Sequence, residues 1–336
     1  MTDRLNVAVI GCGGHAQHHF RMIAAEPRLH LAAVADVDVT RLQNAAETHG
    51  PVPAFDDYRR LLDEVSDLDV VHVTTMPGHL TDIVIECFAR DLHVSVEKPP
   101  GMSSAQTRVM ADAAAKSSGK GIVSFNRRYM PLVLAVRRRA QLAGGAVHVS
   151  GTYNKPLTSL GTSAMADLTP DPVICDAIHH VDLIRWLAGE GNTAAQPMEV
   201  YSVVADGERE GSHRHNATIR FSSGAIGQLS SHYGVGARIQ RAEIHAEDLS
   251  AYLDLSGTAR IELFEAEQMA SSAATQTKAG DAPLDLAETG GEHFDEVQHF
   301  TDCIINDLEP WSTLEDAIVT MQLAEAIRSG HQGSLS

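Results

Sequence analysis

The chain has 336 residues, with Lys+Arg 26 against Asp+Glu 44 and a formal net charge of -18 at pH 7. A polyanion is held by clustered Lys and Arg, so this balance argues against a nucleic-acid binder. Hydrophobic residues at 43%, charged residues at 21% and 26 glycines describe a globular chain that can bury a large core, which excludes wholesale disorder and collagen, and the length predicts two domains.

In chain order, 7–10 reads as a strand, 15–25 as a helix and 31–35 as a second strand, with further strands at 70–74, 93–96 and 121–125. Largely apolar, β-branched strands separated by helices predict a parallel sheet covered on both faces, a doubly wound Rossmann domain of class α/β over 1–125. After one more helical stretch the pattern changes to strand after strand, at 146–153, 198–204, 216–221, 225–230, 241–246, 251–255 and 259–264. The short connections Ser222-Ser223-Gly224 and Ser256-Gly257 carry glycines suited to hairpin turns. An open, largely antiparallel sheet in a second, α+β domain over 126–336 is therefore predicted. A stretch at 269–291, rich in small and polar residues, reads as a surface excursion, and two amphipathic helices close the chain.

Gly11-Cys12-Gly13-Gly14-His15-Ala16 directly follows the first strand and opens a helix. Glycines there let backbone approach a pyrophosphate, which the helix N-terminus attracts. Asp36 ends the second strand about twenty residues on, where a carboxylate accepts from a ribose diol and repels a 2′-phosphate, favouring NAD over NADP. The competing reading is a glycine-rich turn with a solvated Asp. Thr74 and Glu97-Lys98-Pro99-Pro100 end later strands on the same ligand-facing edge. Lys98 there can donate to a substrate oxygen or be a solvated lysine before a proline stop, and Thr74 can be a plain strand end.

Asp176-Ala177-Ile178-His179-His180-Val181-Asp182 begins a helix, on which Asp176 shares a face with either His179 or His180. A carboxylate beside an imidazole suits a general base, while a helix-end carboxylate with two structural histidines explains the residues equally well. His180 falls on one stripe with Ile184 and Leu187, as a packed core histidine would. His15, His18 and His19 read as helix-surface histidines and His213 and His215 as loop residues, and no metal site is predicted.

Cys12, Cys87, Cys175 and Cys303 are scattered without a CxxC pair, so neither a zinc ribbon nor a disulfide framework is expected and a reducing compartment is the simplest reading. The N-terminal apolar cluster is too short for a signal peptide, and no apolar run approaches the ~20 residues that span a bilayer. The expectation is a cytoplasmic protein without membrane association.

The glycine loop, Asp36, Glu97-Lys98-Pro99, Asn126-Arg127-Arg128-Tyr129 and His179-His180-Val181-Asp182 before Arg185-Trp186-Leu187 together resemble the family of glucose-fructose oxidoreductase and inositol dehydrogenase. The resemblance covers nearly the whole chain and implies hydride transfer on sugars or polyols, with an open sheet used for homo-oligomer contacts in a dimer or tetramer. It implies that Lys98 is the catalytic lysine and that His179, three residues before Asp182, is the active-site histidine, with Asn126, Arg127 and Tyr153 near the substrate, where a basic surface turn and a sheet-face tyrosine are equally ordinary readings. The aspartate that commonly precedes this histidine by four is replaced by Cys175, with Asp176 at three, and Pro170-Asp171-Pro172 stands where a glycine-rich lead-in is frequent.

These readings converge on an NAD-dependent dehydrogenase or reductase acting on a small cyclic sugar or polyol. Gly11, Gly13, Gly14, His15, Ala16, Asp36, Thr74, Glu97 and Lys98 would hold the cofactor. Lys98, His179 and Asp176 would carry the chemistry, and His180 would join the substrate residues. The alternatives are a redox-neutral, NAD-using glycoside-cleaving enzyme and a non-catalytic NAD- or sugar-sensing regulator.

Overall fold

The computed structural model describes residues 4–160, 171–266, 291 and 293–335, so the excursion expected at 269–291 lies, apart from residue 291, outside the described residues, as does Pro170. The chain forms two compact units, Met1–Phe125 with Asp295–Ile318, and Asn126–Phe294 with Val319–Ser336.

In the first unit, β1 (Leu5–Ile10), β2 (Leu29–Ala35), β3 (Ala54–Phe55), β4 (Val70–Val73), β5 (His93–Val96) and β6 (Gly121–Val123) form a sheet of order β3-β2-β1-β4-β5-β6. All its pairings are parallel. Val7, Val9, Val71, Val94 and Val96 are fully buried, as β-branched residues are in a sheet with helices on both faces. Those helices are α1 (Ala16–Ala25), α2 (Val39–His49), α3 (Tyr58–Glu64), α4 (Pro77–Phe88) and α5 (Ser104–Ala114). Asp38, Asp57 and Ser103 cap α2, α3 and α5 by accepting from backbone N–H groups, which fixes where each begins. Strand order reverses between β1 and β4, so the crevice beyond their C-terminal ends is the switch point at which such folds take ligands.

The second unit starts with a 3-10 turn at Asn126–Tyr129, followed by α6 (Pro131–Leu142) and β7 (His148–Lys155). A π-helical turn over Val173–Ala177 runs into α7 (Ile178–Leu187), where a continuous helix from Asp176 was expected. Asp171 starts the turn by accepting from Val173 N (2.9 Å) and Ile174 N (3.0 Å), so the Asp-Pro lead-in acts as a cap. Then come β8 (Pro197–Asp206), β9 (His213–Phe221), β10 (Ile226–Tyr233), β11 (Ile239–Ala246), β12 (Leu249–Asp254) and β13 (Arg260–Glu265). With β14 (Gln332–Ser334) they form a sheet of order β13-β12-β11-β7-β10-β9-β8-β14, antiparallel except for the β7–β10 pair.

One sheet face is covered. His215, Ala217, Ile219 and Phe221 alternate with exposed residues along β9, and a Cβ built on Gly151 in β7 would lie 3.0 Å from Ile184 on α7. His213 and His215 are thus strand residues rather than loop residues, because β9 extends to pair His213 with Asp206 and His215 with Val204. Asp182 on α7 accepts from both Arg128 Nε (2.7 Å) and Arg128 Nη2, with Thr320 Oγ1 donating at 2.9 Å. Both partners of this ion pair are almost completely buried.

The closing helices are α8 (Glu296–Ile305) and α9 (Leu314–Ser329). Residues 295–318, placed with the second domain on the sequence pattern, group with the first unit. α8 packs on α1, Arg28 pairs with Asp302 at 2.6 Å, and Ser312 exchanges hydrogen bonds with Val123 on β6.

Candidate active site

The glycine loop is built by β1 and β4 together. Gly11 has φ +96°, and a Cβ there would lie 2.9 Å from both Thr74 C and Thr75 N. Only glycine lets the chain turn this close to the end of β4. Thr74 Oγ1 donates to Gly11 O at 2.5 Å, so the threonine fixes the loop rather than merely ending the strand. Asp36 Oδ2 accepts from Cys12 N at 2.6 Å and Oδ1 from Asp38 N at 2.8 Å. A carboxylate has about four acceptor positions, so Asp36 retains capacity for a diol while it anchors the loop.

The backbone beyond is open. Among the described residues nothing lies within 4 Å of a Cβ built on Gly14, and α1 begins at Ala16 after His15 with no side-chain cap and no acidic residue in its first turn. Its first N–H groups and the positive end of its dipole are therefore free of a competing carboxylate, which fits a pyrophosphate.

Glu97 and Lys98 follow β5. Glu97 Oε2 accepts from Lys98 N at 2.9 Å, and Oε1 lies 3.1 Å from His19 Nε2. His19 is completely buried, which corrects the surface reading. Ala16, His19, Phe20 and Ile23 form the stripe of α1 that is packed inward.

In the second unit, strand register gathers a polar cluster. Tyr153 on β7 stands opposite Ser231 on β10 and Gln240 on β11, and Lys155 stands opposite Tyr233. Asp176, in the π-helical turn, accepts from Tyr153 OH (2.6 Å), Lys155 Nζ (2.8 Å) and Tyr233 OH (3.0 Å). Burial, reinforced by the Asp176 carboxylate, pushes both tyrosines above the usual phenol range, so they stay neutral donors. Arg127 Nη2 donates to Gln240 Oε1, and burial lowers its guanidinium to about 10.

His179 is half-buried, while His180 is completely buried with its ring 5.0 Å edge-on from Tyr153. Burial first, and then the Arg127 charge, holds His180 well below its ordinary pKa, as a neutral core imidazole. Asn126 opens the 3-10 turn with its Oδ1 buried and unpartnered among the described residues. No group of three or more His, Cys, Asp or Glu among the described residues is placed to hold a metal ion.

Residues 5–125 match the family model described as oxidoreductase family, NAD-binding Rossmann fold, and 170–334 match its partner, the C-terminal alpha/beta domain. The chain belongs to the Gfo/Idh/MocA oxidoreductase family. It is 32% identical over 200 residues to inositol 2-dehydrogenase from Rubrobacter xylanophilus, covering 56% of this chain and 54% of that protein. To inositol 2-dehydrogenase from Arthrobacter sp. strain FB24 it is 33% identical over 206 residues, 58% of each. The chain thus spans little more than half the length of these relatives in alignment. Aldose-aldose oxidoreductase from Caulobacter crescentus, solved in complex with glycerol, superimposes with a TM-score of 0.81 at 17% identity over 99% of this chain and 100% of that one, a likeness of fold.

Within this Gfo/Idh/MocA chain, the first unit is an NAD-binding Rossmann domain, and it brings the glycine loop, Asp36 and Thr74 to one crevice. The second unit brings Tyr153 and Asp176 into direct contact. Lys155, Tyr233, Gln240 and His19 were missed. Lys155 was within reach, since it stands two residues after Tyr153 on the same strand face, and so was His19, at helical spacing among apolar residues. Tyr233 and Gln240 depend on pairing register, for which the sequence carries no local signal.

Proposed function

We propose that the protein is an NAD-dependent oxidoreductase that moves a hydride between the nicotinamide and a hydroxyl-bearing carbon of a cyclic sugar or polyol. The observation that carries the reading is the Asp36 carboxylate bonded to the glycine loop at Cys12 N, which joins the diol acceptor and the pyrophosphate cradle in one site. Membership of a family with inositol 2-dehydrogenase relatives supports the substrate class. When bound, NAD supplies the hydride acceptor.

The chain's own residues do the rest. The open backbone at Gly13 and Gly14 and the N-terminus of α1 receive the pyrophosphate, and Asp36 receives the ribose diol. Lys98 donates to the substrate oxygen as its charge develops, and His179 takes the hydroxyl proton. Asp176 orients the imidazole one helical turn on, as a carboxylate already fixed by three donors. The exposed side chains of Tyr201 and Val203 on the open sheet face support a homo-oligomer built there, and we place the protein in the cytoplasm.

Kinetics of Lys98→Met test this assignment. Turnover should fall roughly 10²–10⁴-fold, the scale of a positioned acid-base group, with NAD binding retained. His179→Ala should damage turnover more than His180→Ala, and His180→Ala should cost more stability. Wild-type turnover in Lys98→Met would overturn the role of the lysine, and the reverse order for the histidines would exchange theirs.

A further inference from the structure

Beneath the Glu97-Lys98 corner lies a chain of buried ionisable groups that the proposed reaction does not use. His19 Nε2 is 3.1 Å from Glu97 Oε1, and His19 Nδ1 is 3.0 Å from Nδ1 of His72, a residue inside the all-buried strand β4. The second Glu97 oxygen accepts the Lys98 backbone N–H at 2.9 Å. Glu296, the first residue of α8, is 4% exposed and close enough to His19 and Glu97 for their charges to act on it.

Counting protons narrows the states to two. Burial raises Glu97, but the His19 hydrogen bond and charge hold it below its ordinary value, so it is a carboxylate that only accepts, and His19 Nε2 carries a hydrogen toward it. Two Nδ1 atoms at 3.0 Å need one hydrogen between them. Either His72 donates to a neutral His19, or His19 holds a second proton and donates to a neutral His72.

The surrounding charge chooses the second. Glu97 faces His19 from the end of β5, and Asp295 and Glu296 from the start of α8, with His18 on α1 itself and His72 on β4. Burial pulls His19 down, but the Glu97 hydrogen bond and charge, with Glu296 and Asp295 adding where they are ionised, outweigh it and hold it above its ordinary value. Burial, then the His19 charge, drives His72 well below its own.

We propose that His19 is a positioning residue for Lys98: a buried imidazolium that donates to Glu97 and to His72, and so locks the carboxylate that fixes the Lys98 backbone. The positioning role rests on Lys98 being the group that meets the substrate oxygen. The protonation state does not.

Nitrogen-15 spectra of histidine-labelled wild-type protein, with the His19 signal identified by its loss in His19→Gln, read the state directly. One histidine doubly protonated near neutral pH and one buried neutral histidine are expected. His19→Gln keeps a donor for Glu97 but no charge. Misplacing a reacting group by about 1 Å costs roughly 10²-fold, so kcat should fall toward that extent and its pH profile should shift, with KM and calorimetric NAD affinity nearly unchanged. A neutral His19 accepting from His72, or a wild-type kcat and pH profile in His19→Gln while Lys98→Met is impaired, overturns the proposal. If Lys98→Met is fully active, the Lys98 reading falls and the positioning role with it, but the imidazolium stands or falls on the spectrum. Should His19→Gln not fold, His72→Leu removes the acceptor instead, and an unchanged kcat there counts against the lock.

Discussion

Replacing Gly11 by alanine tests the cofactor loop at its tightest point. The residue sits at φ +96°, and the added Cβ would meet Thr74 C and Thr75 N at 2.9 Å and Thr74 O at 3.0 Å, all backbone atoms that cannot rotate aside. The positive φ costs a non-glycine residue about 1–2 kcal/mol. Overpacking against fixed atoms adds about 1–3 kcal/mol, so Gly11→Ala should lose about 2–5 kcal/mol if the loop stays in place. If the loop shifts instead, the 2.5 Å bond from Thr74 Oγ1 to Gly11 O breaks and the pyrophosphate cradle loses its shape. Stability then recovers at the expense of NAD affinity. Urea denaturation and calorimetric titration with NAD, run on the same preparations, separate the two outcomes. Gly14→Ala is the control, because no described residue lies within 4 Å of its added Cβ, and its stability should stay within about 0.5 kcal/mol of wild type. A Gly11→Ala protein equal to wild type in both stability and NAD affinity would refute the geometry assigned to the loop.

Asp36→Ser should lower NAD affinity roughly tenfold or more, since a lost charge-assisted bond costs about 1.5–3 kcal/mol, while NADP improves in relative terms; an unchanged ratio in titrations of both cofactors would place the carboxylate away from the ribose. Asp182→Asn leaves the Arg128 guanidinium buried without its counter-charge and should cost about 3–5 kcal/mol in denaturant unfolding. Glu296 is pushed by burial, against the opposing pull of His19, from 4.5 up to about 7, so the fold favours its neutral form. That contribution is full below the ordinary carboxyl value and is lost as pH rises through about 7. Between about pH 5 and pH 8, wild type should therefore lose about 2–3 kcal/mol relative to Glu296→Gln, measured by unfolding at each pH.

The Rossmann half was legible because its signals are local. A glycine loop directly after an apolar strand, with an acid ending the next strand, fixes both the fold and the ligand edge within about thirty residues. The second sheet was legible as strands, through period-two alternation and glycine turns, but not in its edges. β14 is only Gln332–Ser334, too short and polar to show a pattern, and His213 to His215 become strand because β8, and for Arg214 and His215 also β10, are there to pair with them. Site residues divide in the same way. Asp176 was visible from its spacing to His179, whereas the Lys155 and Tyr233 that hold it come from strands brought together by a parallel pairing within a sheet that is otherwise antiparallel. The Arg128–Asp182 pair, 54 residues apart in the chain, follows from helix packing, and the grouping of Asp295–Ile318 with the first unit from long-range contacts such as Ser312 with Val123. Neither leaves a trace in local periodicity.

The proposed function is tested most directly by absorbance of the reduced nicotinamide when the wild-type protein is mixed with NAD and, one at a time, a broad panel of cyclic sugars and polyols, with product analysis of every positive. The expected result is NADH formed in equal amount to an oxidised product with at least one member of the panel, and that signal lost in Lys98→Met at unchanged NAD binding. Stoichiometric binding of NAD and of a sugar with no absorbance change across the panel in either direction would contradict it, and would make the protein a sensor that keeps the fold without the turnover.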